Sequence, residues 1–167
     1  MKTLLTLSVA AVAAAAVAVP AVAQEPPNPY PAKKVAVFLY ADTVTSSRTT
    51  PAPAKVCSQT NFFPQGARVV FRMWGVESST GLTLTTDNIK YAYVKIAGQP
   101  NLKLSFGKHG KLATSPWFWS AAWAIPANYP IGAVAWRIVV KTKSNKFGIF
   151  DPTNLAESSR LTVTPKA

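Results

Sequence analysis

From Tyr129 to Phe150 the chain carries a complete hairpin in its residue order. The turn Pro130-Ile131-Gly132 opens a run in which Val134, Trp136, Ile138 and Val140 recur at every second position. A period of two puts all four on one face of a strand, whereas a helix would scatter them around its axis. Lys141-Thr142-Lys143-Ser144-Asn145-Lys146 then supplies a tight, basic turn, and Phe147 to Phe150 a returning strand. A hairpin with one apolar face is marginal alone and has to bury that face against another layer. The feature commits the chain to an all-β fold with packed sheets.

The other segments follow the same grammar. Val35 to Tyr40 predicts a first strand, and the Ser/Thr/Pro-rich stretch Thr43 to Ala54 an exposed loop. Arg68 to Val76 follows the turn Pro64-Gln65-Gly66, with Val69, Phe71 and Met73 on one side and Arg68, Val70, Arg72 and Trp74 on the other. Thr85 to Asn88 predicts a turn organised by the Asp87 side chain. Asn88 to Ile96 is expected to place Ile89, Tyr91 and Tyr93 on one face and Ala92, Val94 and Ile96 on the other. Leu102, Leu104 and Phe106 are expected to point together, before a loop from Phe106 to Ser115 marked by Gly107 and Gly110. Trp117, Trp119, Trp123 and Ile125 share a face of the next strand. Ala133 to Thr142 reads as the longest strand and Leu161 to Thr164 as the last. Seven to eight short strands, with turns about every 8 to 12 residues, predict an immunoglobulin-like antiparallel β-sandwich. Its core is expected to include Phe71, Val94, Trp136 and Ile138.

Residues 1–23 have the order of an export signal. Lys2 is the cationic start, Leu4 to Val19 the apolar stretch, and Ala21-Val22-Ala23 the small-x-small cleavage rule, which predicts a mature chain from Gln24. The apolar stretch falls short of the roughly 20 residues that a good membrane span needs, and no later run is long enough to span. Residues 24–34 hold Pro26, Pro27, Pro29 and Pro31 and predict an extended, flexible leader. Residues 35–167 then form a single domain. Cleavage removes 23 of 167 residues and leaves 144, with 17 Lys and Arg against 6 Asp and Glu. The single cysteine, Cys57, is expected to be buried; pairing between chains and a reactive thiol are the other readings. The compartment implied is periplasmic or secreted.

Trp123-Ala124-Ile125-Pro126-Ala127-Asn128-Tyr129-Pro130-Ile131-Gly132, followed by an alternating strand and a Gly-ended turn, resembles bacterial exported immunoglobulin-like domains. In those a Pro-x-Gly turn leads into the second-to-last strand. Arg68-Val69-Val70-Phe71-Arg72 and Asn88-Ile89-Lys90-Tyr91-Ala92-Tyr93-Val94 look like their earlier strands. The resemblance spans roughly Val35 to Thr164 and implies architecture, with no catalytic residues to carry over. Many such domains carry an acid in the last hairpin turn. Here that turn is basic, which argues against a calcium-type role.

Composition narrows the chemistry. One histidine, His109, and one cysteine are too few for a blue-copper or a Cys/His zinc site. A softer Cu(I) site from Cys57, Met73 and His109 stays open beside the plainer reading of core filler and a loop histidine. A hydrolytic triad would rest on His109, and no Gly-x-Ser-x-Gly elbow occurs. Paired carboxylates would come from Glu25, Asp42, Glu77, Asp87, Asp151 and Glu157, read as leader, loop or strand-end residues. No catalytic activity and no cofactor are expected.

Two surface signals remain. Trp117 and Trp119, with Trp123, are either a shared core or an exposed aromatic platform. Lys141, Lys143 and Lys146 gather at one hairpin, and Lys103, Lys108 and Lys111 flank His109. Lysines also protect strand edges from aggregation, but that does not account for a net charge of +12. The sequence predicts a non-catalytic binding or assembly module whose partner is an anionic polymer, an anionic envelope component or an acidic protein. Nucleic acid is the least favoured, because the chain reads as exported and has no recognised nucleic-acid fold. The alternatives are a small metal-handling or redox-accessory protein and a structural subunit that associates by sheet-edge pairing.

Overall fold

Alternation of apolar and polar side chains builds two four-strand paths whose inward faces share one core. The computed structural model describes residues 35–45, 58–152 and 160–166, so the expected signal, the leader and Cys57 lie outside the described residues. Its strands are β1 (Val37–Thr45), β2 (Phe62–Pro64), β3 (Arg68–Glu77), β4 (Leu82–Thr83), β5 (Ile89–Ile96), β6 (Leu102–Lys103), β7 (Ser105–Lys108), β8 (Trp117–Ala124), β9 (Gly132–Ala133), β10 (Trp136–Thr142), β11 (Phe147–Phe150) and β12 (Thr162–Thr164). No α-helix occurs among the described residues.

One sheet runs β1-β3-β8-β7, with β4 added on β3. The second runs β11-β10-β5-β6. Val69, Phe71 and Met73 from the first meet Val94, Trp136, Ile138 and Val140 from the second in one buried cluster. The Phe71 and Trp136 rings lie 4.9 Å apart. A small third sheet, β2-β12-β9, lies where β3 and β10 begin, and β12 runs parallel to β2. The architecture is all-β and sandwich-like, and the buried set Phe71, Val94, Trp136 and Ile138 is as expected.

Several expectations change. The first strand runs on to Thr45, so Asp42 and Thr43 are buried strand residues rather than the mouth of a loop. Both carboxylate oxygens of Asp42 accept from Arg72 on the neighbouring strand. The ten residues of β3 make it the longest strand among the described residues, because the expected Ala133–Thr142 run breaks at Val134 and Ala135. There the chain leaves β12 for β5: the Val134 amide donates to Leu161 and the Ala97 amide to the Ala135 carbonyl. A similar crossing occurs at the buried Leu104, where β6 pairs with β5 but β7 pairs with β8. The expected loop from Phe106 therefore begins as strand.

The turn before β5 is organised by Asn88, not Asp87. The Asn88 side-chain oxygen accepts from the Thr85 amide at 2.8 Å and its amide donates to the Thr83 carbonyl at 2.8 Å. Ile89 is buried although it shares parity with Tyr91 and Tyr93. The register explains it: Thr142 faces Ile89 while Lys141 faces Tyr91, so Lys90 is the extra residue of a bulge. One extra residue reverses the facing of everything before it.

Candidate binding face

The outward positions of β11-β10-β5-β6 form a face in three rows. Phe147, Lys141 and Tyr91 stand opposite one another across β11, β10 and β5. The next row is Ile149, Val139, Tyr93 and Lys103. The third pairs Arg137 with Lys95. The turn fixes this alignment. Asn145 adopts φ 62° and the Thr142 amide donates to the Lys146 carbonyl at 2.9 Å, which closes a short bulged hairpin and sets Lys141 against Phe147.

Cations and rings are interleaved. The Lys141 Nζ lies 4.8 Å from the Phe147 ring centre and the Lys95 Nζ 5.6 Å from that of Tyr93. Tyr91 and Tyr93 stack at 5.5 Å. Such contacts cover the lysine stems and leave the charged ends in water. Against Lys95, Lys103, Arg137 and Lys141, the acid beside these rows is Asp151, which follows β11 and lines an open depression of 320 Å³ with Lys95 and Arg137. Beyond the opposite end lies a groove of 310 Å³, lined by Lys90, Lys103 and Tyr91, with Phe106 and Trp119.

The structure sorts the expected binding residues. Lys141 and Lys103 come onto this face. Lys143 is exposed in the turn, beyond the rows. Lys146 is committed elsewhere: its Nζ forms an ion pair with Glu77 and donates to Ser79 Oγ at 2.6 Å. Lys108 ends β7 of the other sheet opposite Trp117, and Lys111 is exposed in the loop that follows. Trp119 is no exposed platform. It is 5% exposed, and its indole N–H donates to the Leu84 carbonyl at 2.8 Å. Trp123 is also core, while Trp117 is 55% exposed with its ring 5.6 Å from that of Phe106. The residues not anticipated for this face are Tyr91, Tyr93, Lys95, Arg137, Phe147 and Ile149. Tyr91, Tyr93, Lys95 and Arg137 sit at the polar parity of their strands, the signal that could have marked them, whereas Phe147 and Ile149 carry no such mark in the Phe-Gly-Ile-Phe of β11.

The Glu77 carboxyl is held below its ordinary value, chiefly by the hydrogen bond from Lys146. A pKa lower in the folded than in the unfolded state adds stability above the unfolded value, near 4.3. That contribution is lost as pH falls through the folded value. Urea melts below about pH 4 should therefore show an acid-dependent loss that is smaller in Glu77→Gln than in the parent. Parallel pH profiles for the two proteins would show that the pair adds nothing.

Met73 is wholly buried against the core, whereas His109 stacks at 3.6 Å on Phe118, on the opposite face of the same sheet. These two candidate copper ligands are thus not brought together, and Cys57 lies outside the described residues. Partial burial, with Arg72 nearby, holds the His109 imidazole below its ordinary pKa. Ser120 Oγ is 3.4 Å from its Nε2. The acid in line with that pair, Asp42, is engaged by Arg72. Among the described residues no three His, Cys, Asp or Glu side chains group as metal ligands, and no helix is long and apolar enough to cross a membrane. Comparison with family models, curated proteins and solved structures finds no match to this chain.

Proposed function

We propose that this chain is an exported, non-catalytic binding module of immunoglobulin-like fold that engages an anionic partner through the outer face of β11-β10-β5-β6. The observation that carries the reading is the row structure: Lys95, Lys103, Arg137 and Lys141 spread over the outward positions of three adjacent strands, β10, β5 and β6, with Asp151 as the acid beside them. A surface with cations in excess raises the local concentration of an opposite partner and speeds encounter. The strand order supports the fold. With β1, β3, β5, β7, β8, β10 and β11 as A to G, and β6 as an extra strand beside C, the sheets read A-B-E-D and G-F-C. The export reading rests on residues 1–23. A subunit that associates by edge pairing would use β11 or β6, which end the second sheet.

Retention on heparin, used as a polyanion probe, tests the face. Exposed charges are screened beyond about 8 Å at physiological salt, so retention should weaken steeply as salt rises. Changing Lys95, Lys103, Arg137 and Lys141 to Gln should lower the eluting salt markedly, with each change at these surface positions shifting stability by less than about 0.5 kcal/mol. Lys108→Gln with Lys111→Gln should leave elution near that of the parent. If the two sets behave the other way round, the binding surface lies on the other sheet.

A further inference from the structure

We propose that this face docks on an anionic lipid surface, with Phe147 and Ile149 entering the headgroup layer while Lys95, Lys103, Arg137 and Lys141 meet the phosphates. The inference rests on the anion-binding reading above and names its partner. What separates a lipid surface from a soluble polyanion is the apolar component. Phe147 is 52% and Ile149 61% exposed, two positions apart on the same side of β11. A charged polymer has no use for an exposed isoleucine, whereas a bilayer interface takes apolar tips and cationic collars together.

The placement favours the same occupant. β11 is the last strand of its sheet, so its two tips stand at a border that a surface can reach while the rest of the domain stays in water. Lys141 lies over Phe147, and Val139 and Tyr93 continue the row from Ile149 towards Lys103. Tyrosine suits a boundary with one wet and one apolar side. A second copy of the chain is disfavoured by charge, because a two-fold pairing of this face sets four cations against four. The other sheet offers a built-in contrast. Phe38 and Tyr40 are 57% and 51% exposed there, but the neighbouring cation, Arg72, is paired with Asp42.

The test is co-sedimentation with vesicles of phosphatidylcholine alone or with about a third phosphatidylglycerol, a content that gives the surface a negative potential. The parent should partition onto the anionic vesicles and stay free of the neutral ones. Each cation near such a surface contributes roughly fivefold, so Lys95→Gln with Lys141→Gln should lower partitioning about 25-fold. Phe147→Ser with Ile149→Ser should lower it about tenfold or more by removing the inserted area, while heparin elution stays at the parent's salt. Phe38→Ser with Tyr40→Ser should change neither. A parent that binds heparin but not anionic vesicles overturns the lipid assignment and leaves the anionic-partner reading standing. Failure on both removes the reading beneath it. A Phe147/Ile149 variant that binds vesicles like the parent, or a parent dimer that this variant dissociates, also overturns the proposal.

Discussion

Trp136→Ala is expected to cost about 3–5 kcal/mol, the usual range for removing a buried aromatic side chain. The indole is 4% exposed, at the first position of β10, with its ring 4.9 Å from Phe71 of the facing sheet and 5.7 Å from Phe150 of the adjacent strand. It ties both sheets and the last hairpin to one point, so neighbours cannot collapse into the space without dragging strands with them. Its Nε1 has no hydrogen-bond partner among the described residues. Trp136→Phe gives up ring volume but also a buried polar group, and should cost less than half as much as alanine. Equilibrium urea unfolding reads both, as a shift of midpoint at constant slope. A loss below about 1 kcal/mol for alanine would place the indole at the surface, outside the range for buried aromatics.

Gly75→Val is expected to reach the upper end of overpacking costs, about 3 kcal/mol. A Cβ at Gly75 would stand 2.7 Å from Leu39 Cδ2, Leu84 Cδ1 and the Phe38 carbonyl oxygen. The two leucine methyls can turn aside, but the carbonyl belongs to the β1–β3 ladder and cannot move without opening it. Gly107→Ala is the matched control. It too lies in a strand, but nothing stands within 4 Å of the added carbon. It should be neutral or stabilising by up to about 1 kcal/mol, since alanine loses less backbone freedom than glycine. Equal losses at both positions would mean that strand glycines matter here for the backbone alone.

Much of the core was legible because a strand repeats every two residues. Val69, Phe71 and Met73, or Ala92, Val94 and Ile96, declare a common side without knowledge of any partner. What escaped depends on partners far along the chain. Phe118 has outward parity and yet is buried, because Trp74 lies 5.0 Å from it and His109 stacks upon it. Lys146 looked free in a basic turn until Glu77, 69 residues earlier, was set beside it. Ile89 faces inward through a bulge, whose presence requires knowing that Lys141 and Thr142 lie opposite. The face is a similar case. Lys95, Arg137, Lys141 and Lys103 are each unremarkable on their own strands, and it is the register across strands that makes them neighbours.

The parallel pairing of β12 with β2 has a consequence in time. Thr162 meets Phe62, and Val163 covers Phe63, which is 1% exposed in the finished fold. These partners are 100 positions apart, so their meeting closes one of the longest loops in the molecule, and such contacts form late. Synthesis proceeds from the N-terminus at about 5–20 residues per second, which puts roughly 5–20 s between the appearance of β2 and that of β12. For that interval β2 has a bare edge and an uncovered phenylalanine. The third sheet therefore stays incomplete until β12 has been made, a window in which a holding chaperone meets β2 as an unpaired strand rather than a finished edge.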